Sequence, residues 1–334
     1  MATRLSGFTR ASSLGPIADF MSQQGGSAVR VLRDVDLPFA LLERPELVIP
    51  LREQFRFLER AARETGDECF GARLGQAVRT TELSDFGKWV CSAETLAQSI
   101  ERGHRCISTM LQTSTVFELQ RRGSSMRWSI EFVEPETEGR RHNELLGISY
   151  MIDLVRHYAG RTWRPDVVMC TFPNRAHMPM LEDIFRSNVS CGHDVTSIDF
   201  NSAVLACKRP GADAALAKSD AAEPPVPKLD DALASIAAVT DLAVNEGYPR
   251  VDWVANKLGL SRRTLQRQLE RSGTSFQGVV DATLARQART LLETGRKPIT
   301  DIALQLGYQD TAHFTRAFRR WTGSSPSAYR QRFV

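Results

Sequence analysis

One pattern occurs twice in the last third of the chain, and few folds accommodate it. In VANKLGLSRRTLQRQL (254–269), Ala255 is followed four residues later by Gly259 and six after that by Leu265. In IALQLGYQDTAHFTRAF (302–318), Ala303 and Gly307 are again four apart, and one extra turn residue precedes the anchor Phe314. A small residue lets two helices approach, a glycine turns the chain, and an apolar residue fixes the second helix. This is the skeleton of a helix-turn-helix, and it predicts such motifs over 251–271 and 299–321. Ser261 stands where the second helix of the first copy wants a cap.

The anchors decide which residues face out. Leu265 and Leu269 lie one turn apart and point inward, as do Phe314 and Phe318. Arg262, Arg263, Gln266 and Arg267 are left outside on the first copy, and Thr311, Ala312, Thr315 and Arg316 on the second. Arg and Gln carry paired groups that match guanine and adenine edges in the major groove. The connecting helix, about 20 residues at ~1.5 Å each, spans ~30 Å. Successive major-groove faces on one side of B-DNA lie ~34 Å apart. One chain can therefore set two recognition helices in adjacent grooves of double-stranded DNA.

Charge agrees with a polyanionic partner. The 86 residues from Pro249 to Val334 hold 15 Lys+Arg against 6 Asp+Glu, a balance of +9, while the other 248 residues sum to −5. Arg319 and Arg320 are expected at phosphates and Trp321 against the last helix. The competing reading is a basic-aromatic patch for single strands. His313 beside Asp310 suggests catalysis, but a histidine on a recognition helix fits a phosphate or packing contact better.

The stretch 208–228, KRPGADAALAKSDAAEPPVPK, has no apolar period, and Pro224, Pro225 and Pro227 deny it a helix. It predicts a linker between a domain over 1–207 and one over 229–334. The first part mixes signals: an amphipathic helix over 51–66 stopped by Gly66, and a helix over 92–112 with Ser92 as N-cap. A hairpin turns at Gly123-Ser124-Ser125, and a helix over 143–159, a strand near 167–172, a helix over 180–187 and short strands near 189–200 follow. The expected class is α+β with a mostly antiparallel sheet, joined to an all-α domain of helices over 229–246, 251–258, 262–271, 275–294, 299–305, 311–321 and 326–332. Gly247, Gly259, Gly273, Gly295, Gly307 and Gly323 fall where those helices end. Trp89, Trp128, Trp163 and Phe132 are expected to pack in the core, with lining of a ligand pocket as their alternative.

No apolar run reaches the ~18–20 residues of a membrane span, and MATRLSGFTRASSLG lacks a secretory h-region. A cytoplasmic protein with no membrane partner is expected. Six cysteines stand singly with no CxxC; His104-Arg-Cys106 and Cys191-Gly-His193 offer two ligands each, so neither metal nor cofactor is expected.

At Ile299–Arg330 the chain resembles the AraC/XylS family of bacterial transcription regulators, through the pattern IxxIALxLGYxDxxxFxRAFxRWxGxSPxxYR. It departs at Thr311-Ala312-His313, where Ser or Asn is commoner, which bears on base preference rather than on class. The resemblance implies Arg263, Gln266, Arg267, Ala312 and Arg316 as base-reading positions. Ala312 lacks a hydrogen-bonding side chain and offers apolar contact alone. Residues 11–206, through VIPLREQFRFLERAARETGDECFGARLG, ELSDFGKWVCSAETLAQSI and AGRTWRPDVV, resemble the effector-binding domain of the family's ornithine-utilisation branch. That likeness implies a small-molecule effector of unstated identity and a part in dimerisation, so a homodimer is expected. Promoter DNA and RNA polymerase are the expected partners, and an activator's role is expected with a repressor's as its alternative.

Two other classes lack their chemistry here. A DNA-alkyl-transfer repair protein needs a zinc-binding cysteine cluster and a Pro-Cys-His-Arg nucleophile, and a phosphorylation-driven regulator needs an alternating βα receiver. No enzyme is expected. A constitutive DNA-binding regulator, with a sensor domain used only to dimerise, is the alternative to a ligand-responsive one.

Overall fold

The computed structural model describes residues 6–134, 138–173, 175–211, 225–247, 249–293 and 297–333. The chain divides into two units, one of Ser6–Leu37 with Leu41–Val226, the other of Pro227–Val334 with Pro38–Ala40.

The first unit begins with β1 (Phe8–Arg10), α1 (Ile17–Gln23), α2 (Ala28–Asp34) and β2 (Val48–Pro50), which pairs antiparallel with β1. α3 (Leu51–Thr65) buries Leu51, Phe55, Leu58 and Ala62 on one face, the larger side chains contributing about 1.5–3 kcal/mol each. Gly66 ends it in the left-handed conformation, φ 65°. Next come α4 (Phe70–Gln76), α5 (Ser84–Cys91) and α6 (Leu96–Met110), then the hairpin β3 (Thr115–Arg122) and β4 (Ser125–Phe132). After it follow α7 (Arg140–Ala159), β5 (Val167–Cys170), α8 (Met178–Phe185), β6 (Asn188–Cys191) and β7 (Thr196–Asn201). The main sheet runs β3-β4-β7-β5-β6, antiparallel except for the β5–β6 pair, so the unit is α+β as expected.

Helix α7 is the unit's spine, buried from His142 to Met151 except at Tyr150. Helix α4 can lie on it because α4 carries glycines at the crossing. A Cβ at Gly71 would stand 1.9 Å from the His142 carbonyl oxygen, and one at Gly75 would stand 2.2 Å from Ser149 Cβ.

Two expectations are corrected here. Ser92 does not cap α6; it ends α5, and its Oγ donates to the Trp89 carbonyl at 2.7 Å. The cap is Thr95, whose side chain accepts from the Gln98 N–H at 3.4 Å. The reason is tertiary: Leu96 N–H donates to the Cys207 carbonyl and Arg209 N–H to the Glu94 carbonyl. That bridge holds Thr95 extended, at φ −126° and ψ 160°, and a helix cannot start before it. Trp89 is likewise not a core residue: it is 46% exposed, with the Arg102 guanidinium 4.2 Å from its ring centroid.

Of the expected linker, 212–224 lies outside the described residues. Its two ends are tied to the first unit, through the Thr95–Lys208 bridge and a hydrogen bond from Val226 N–H to the Thr109 carbonyl.

Among the described residues the regular elements of Pro227–Val334 are all helices: α9 (Ala232–Val244), α10 (Val251–Lys257), α11 (Arg262–Arg271), α12 (Phe276–Glu293), α13 (Ile299–Gln305), α14 (Thr311–Thr322) and α15 (Pro326–Arg330). Gly247, Gly259, Gly273, Gly307 and Gly323 all have positive φ at helix ends; Gly295 lies outside the described residues. No helix among the described residues is long and apolar enough to cross a membrane.

Candidate nucleic-acid interface

Each recurring motif folds as a pair of helices with the same turn. In the first, Ala255 is 2% exposed where α10 meets α11, and its carbonyl accepts from the Leu260 N–H at 2.8 Å. In the second, Ala303 is fully buried and its carbonyl accepts from the Tyr308 N–H at 3.0 Å. Gly259 and Gly307 follow at φ 68° and 81°, a conformation that a side chain would strain. The turns then diverge by one residue. Ser261 caps α11, its Oγ accepting from Thr264 N–H at 3.1 Å. Asp310 caps α14, its Oδ1 accepting from His313 N–H at 2.7 Å.

Below the turns the anchors are buried as the spacing predicts: Leu265 and Leu269 in α11, Phe314 and Phe318 in α14. The second anchor set is aromatic and extended. Phe314 and Phe318 have ring centroids 5.8 Å apart, and Phe318 meets Trp321 at 6.5 Å and Tyr329 of α15 at 5.4 Å. Trp321 itself packs on Tyr308 and Phe318, and Tyr329 is what joins the last helix to this cluster.

The opposite faces are open. Arg262, Arg263, Gln266 and Arg267 of α11 are exposed, as are Ala312, Arg316, Arg319 and Arg320 of α14, whereas Thr311 and Thr315 are half-buried. Two of the arginines have acidic neighbours: Arg320 pairs with Asp281 of α12 at 2.9 Å, and Arg262 stands 3.7 Å from Asp252 of α10. Such exposed pairs are worth little. His313 Nδ1 lies 2.5 Å from Asp310 Oδ2. The His313 backbone N–H, with its ring next, holds the Asp310 carboxyl below its ordinary value. Through its bond to the His313 N–H, Asp310 serves as the N-cap of α14.

The remaining sequence candidates lie in the first unit. His104 Nε2 accepts from Trp128 Nε1–H at 2.9 Å, and burial lowers the pKa of the ring. His193 Nε2 is bonded to Ser190 Oγ at 2.7 Å. Trp163 packs edge-on against Phe200. Trp128 and Phe132 are buried core residues that also wall a cavity of about 80 Å³. From sequence alone, these two aromatics are the only lining residues of that cavity with an expected place beside a ligand. One signal of it was present: Gly103, inside an otherwise apolar-faced helix.

Comparison with known proteins gives two family matches. Residues 25–208 match the arabinose-binding domain of AraC transcription regulator, N-terminal, and residues 254–332 match a helix-turn-helix domain. An ornithine utilization regulator of Pseudomonas aeruginosa is 43% identical over 84 residues, 25% of this chain and 25% of that protein. The chain thus spans about a quarter of that relative's length. The VirS transcriptional regulator of Mycobacterium tuberculosis is 24% identical over 341 residues, 98% of this chain and 97% of VirS. Among solved structures, the CdpR regulator of Pseudomonas aeruginosa aligns at 22% identity over 78% of this chain and 86% of that one, with a TM-score of 0.35.

Proposed function

Because the chain belongs to the AraC family of transcription regulators, as the match over 25–208 establishes, we propose that it binds promoter DNA as a homodimer, each chain reading two adjacent major grooves, and releases or gains that grip when a small molecule binds its first unit. It is a DNA-binding transcription regulator and not an enzyme. The observation that carries the finer reading is the pair of capped helices, α11 and α14, each with its anchors buried and its polar face exposed. Between them, α12 has 18 residues, a rod of ~27 Å. That length is of the order of the ~34 Å groove repeat, which supports the two-groove reading.

Within this reading Arg263, Gln266 and Arg267 read bases in one groove, and Ala312 and Arg316 in the next. Arg262, Thr311, Thr315, Arg319 and Arg320 hold the phosphates, which position the helices without carrying sequence information. RNA polymerase is the partner through which occupancy becomes activation.

The test is a footprint of the full chain and of residues 229–334 on the same promoter fragment, with and without a candidate effector. Ornithine, named for one relative, is a natural first compound. Two protected segments one helical turn apart per chain are expected, with the effector changing the full chain's footprint only. One protected segment per chain would end the two-groove reading. An effector response surviving in 229–334 would end the division of labour, and no response from any effector would favour a constitutive regulator.

A further inference from the structure

The cavity of the first unit restricts what can enter it. It lies between the β3–β4 hairpin and helices α5, α6 and α7, walled by Phe86, Phe117, Trp128, Phe132 and Met151. Among the described residues, no Asp, Glu, Lys, Arg or His lines it. Trp128 spends its indole N–H on His104, outside the cavity, so it offers the interior only a ring face. Four of the polar lining residues are linked: Ser13 Oγ donates to Gln54 Oε1 at 2.6 Å, Gln54 Nε2 donates to Asn143 Oδ1 at 2.8 Å, and Tyr150 Oη donates to the Ser13 carbonyl at 2.6 Å. The other two direct their donors outside the cavity lining, Thr80 Oγ1 to Asp153 Oδ2 at 3.0 Å and Gln112 Nε2 to Thr115 Oγ1 at 2.6 Å. In this chain of bonds Asn143, 3% exposed, accepts. Among the described residues its side chain makes no other hydrogen bond, which leaves its amide N–H groups to donate to whatever occupies the space.

Two glycines line the cavity, for different reasons. A Cβ at Gly147 of α7 would stand 3.2 Å from Ile130 Cδ1, so that glycine is needed for packing against β4. At Gly103 the single neighbour within 4 Å is Val90 Cγ1 at 3.9 Å, an ordinary contact. Gly103 is buried in the middle of α6, where glycine weakens a helix relative to alanine and no steric demand requires it. Its effect is to leave room.

We infer that the first unit binds a small, uncharged, largely apolar molecule carrying a hydrogen-bond acceptor, such as an aromatic alcohol or ketone, with the acceptor at Asn143 and the apolar body in the space kept open by Gly103. A carboxylate, an amino acid or a polyamine would shed its hydration with no opposite charge to meet it. A sugar would strand hydroxyls against the aromatic walls, which separates this cavity from the ligand in the matched domain's own description. The inference rests on the proposed effector role of this unit and adds the chemical class.

The experiment uses the full chain and matched probes of similar size: acetophenone and benzyl alcohol, ethylbenzene without an acceptor, benzoate with a charge, and L-ornithine and L-arabinose. Acetophenone and benzyl alcohol at ten times their dissociation constants are expected to raise the melting temperature by roughly 3–6 °C and to change Trp128 fluorescence. Ethylbenzene should give a smaller rise, and the other three none. Gly103→Leu fills the cavity and should melt no lower than the parent while losing the rise. If that variant fails to fold, Gly103→Ala, adding one methyl, should keep stability and weaken binding several-fold. No rise with either neutral acceptor, an equal or larger rise with benzoate, ornithine or arabinose, or an undiminished rise in a folded Gly103 variant would overturn the inference. The effect on promoter binding is read separately. Neutral probes that bind without altering the footprint uphold the ligand class and defeat the regulatory reading. Ornithine or arabinose altering it upholds regulation and defeats the class.

Discussion

The two helix-turn-helix motifs share a frame and differ in what fills it. Small residue, glycine and inward anchors recur at Ala255, Gly259 and Leu265 and at Ala303, Gly307 and Phe314, with the same hydrogen bond closing each turn. The first motif holds α11 by two leucines and exposes three arginines and a glutamine in its first six residues. The second holds α14 by a linked run of aromatic rings and exposes an alanine and one arginine at the corresponding places. A frame kept constant while anchor and reading surface change separates folding from recognition, and the separation can be tested from both sides.

The largest expected effect is on the anchors. Phe318→Ala removes a ring that touches Phe314, Trp321 and Tyr329, and should cost about 3–5 kcal/mol of stability, as deletion of a buried aromatic does. Leu269→Ala should cost less in the same protein, within the usual ~2–5 kcal/mol. Urea denaturation of both variants measures the difference. A Leu269→Ala loss equal to that of Phe318→Ala would mean that the aromatic run adds nothing beyond filling space.

The anchors also show why this half of the molecule was legible in its sequence. Helix limits expected at 262–271 and 299–305 are those observed, because caps, glycines and apolar spacing are all local signals. The β3–β4 hairpin was legible for the same reason, with Gly123 at φ 64° between alternating strands. Where the cause is remote, sequence reading fails. Strands β1 and β2 are three residues each and exist only because Phe8 pairs with Pro50 across the intervening helices. Helix α4 contains two glycines that argue against a helix until α7 is seen lying against them. Ser92 has a cap's chemistry, but residues 207–209 hold the chain extended past it. The exposure of Arg262, Arg263, Gln266, Arg267, Ala312 and Arg316 could be read from spacing, whereas the cavity is assembled from Ser13 to Leu154 and has no contiguous signature.

On the reading side the effects are smaller. Gln266→Ala and Arg267→Ala should each cost about 1–3 kcal/mol of binding and relax preference at one base pair of the first half-site. Arg316→Ala should do the same in the second half-site, where it stands nearly alone. Selection of bound sequences from a randomised promoter, run on each variant, reads both outcomes. Uniform weakening by Arg316→Ala, with base preference intact, would reassign it to a phosphate and leave the second helix as a positioning element.

The smallest effect lies in the caps, and it sharpens the comparison because only one of them titrates. Ser261→Ala should cost about 1 kcal/mol at any pH. Asp310 caps α14 as a carboxylate held below its ordinary value by the His313 backbone N–H and then by the His313 ring. A carboxyl whose folded pKa is depressed contributes fully above its unfolded value, about 3.9, and loses that contribution as pH falls through the folded value. Asp310→Asn keeps an oxygen for the His313 N–H and removes the titration. Stability of the parent relative to Asp310→Asn should therefore be level above about pH 5 and decline below pH 4, followed by urea midpoints across that range. The parallel comparison of Ser261→Ala with its parent should show no slope, and a slope there of equal size would place the acid sensitivity elsewhere than in the cap of α14.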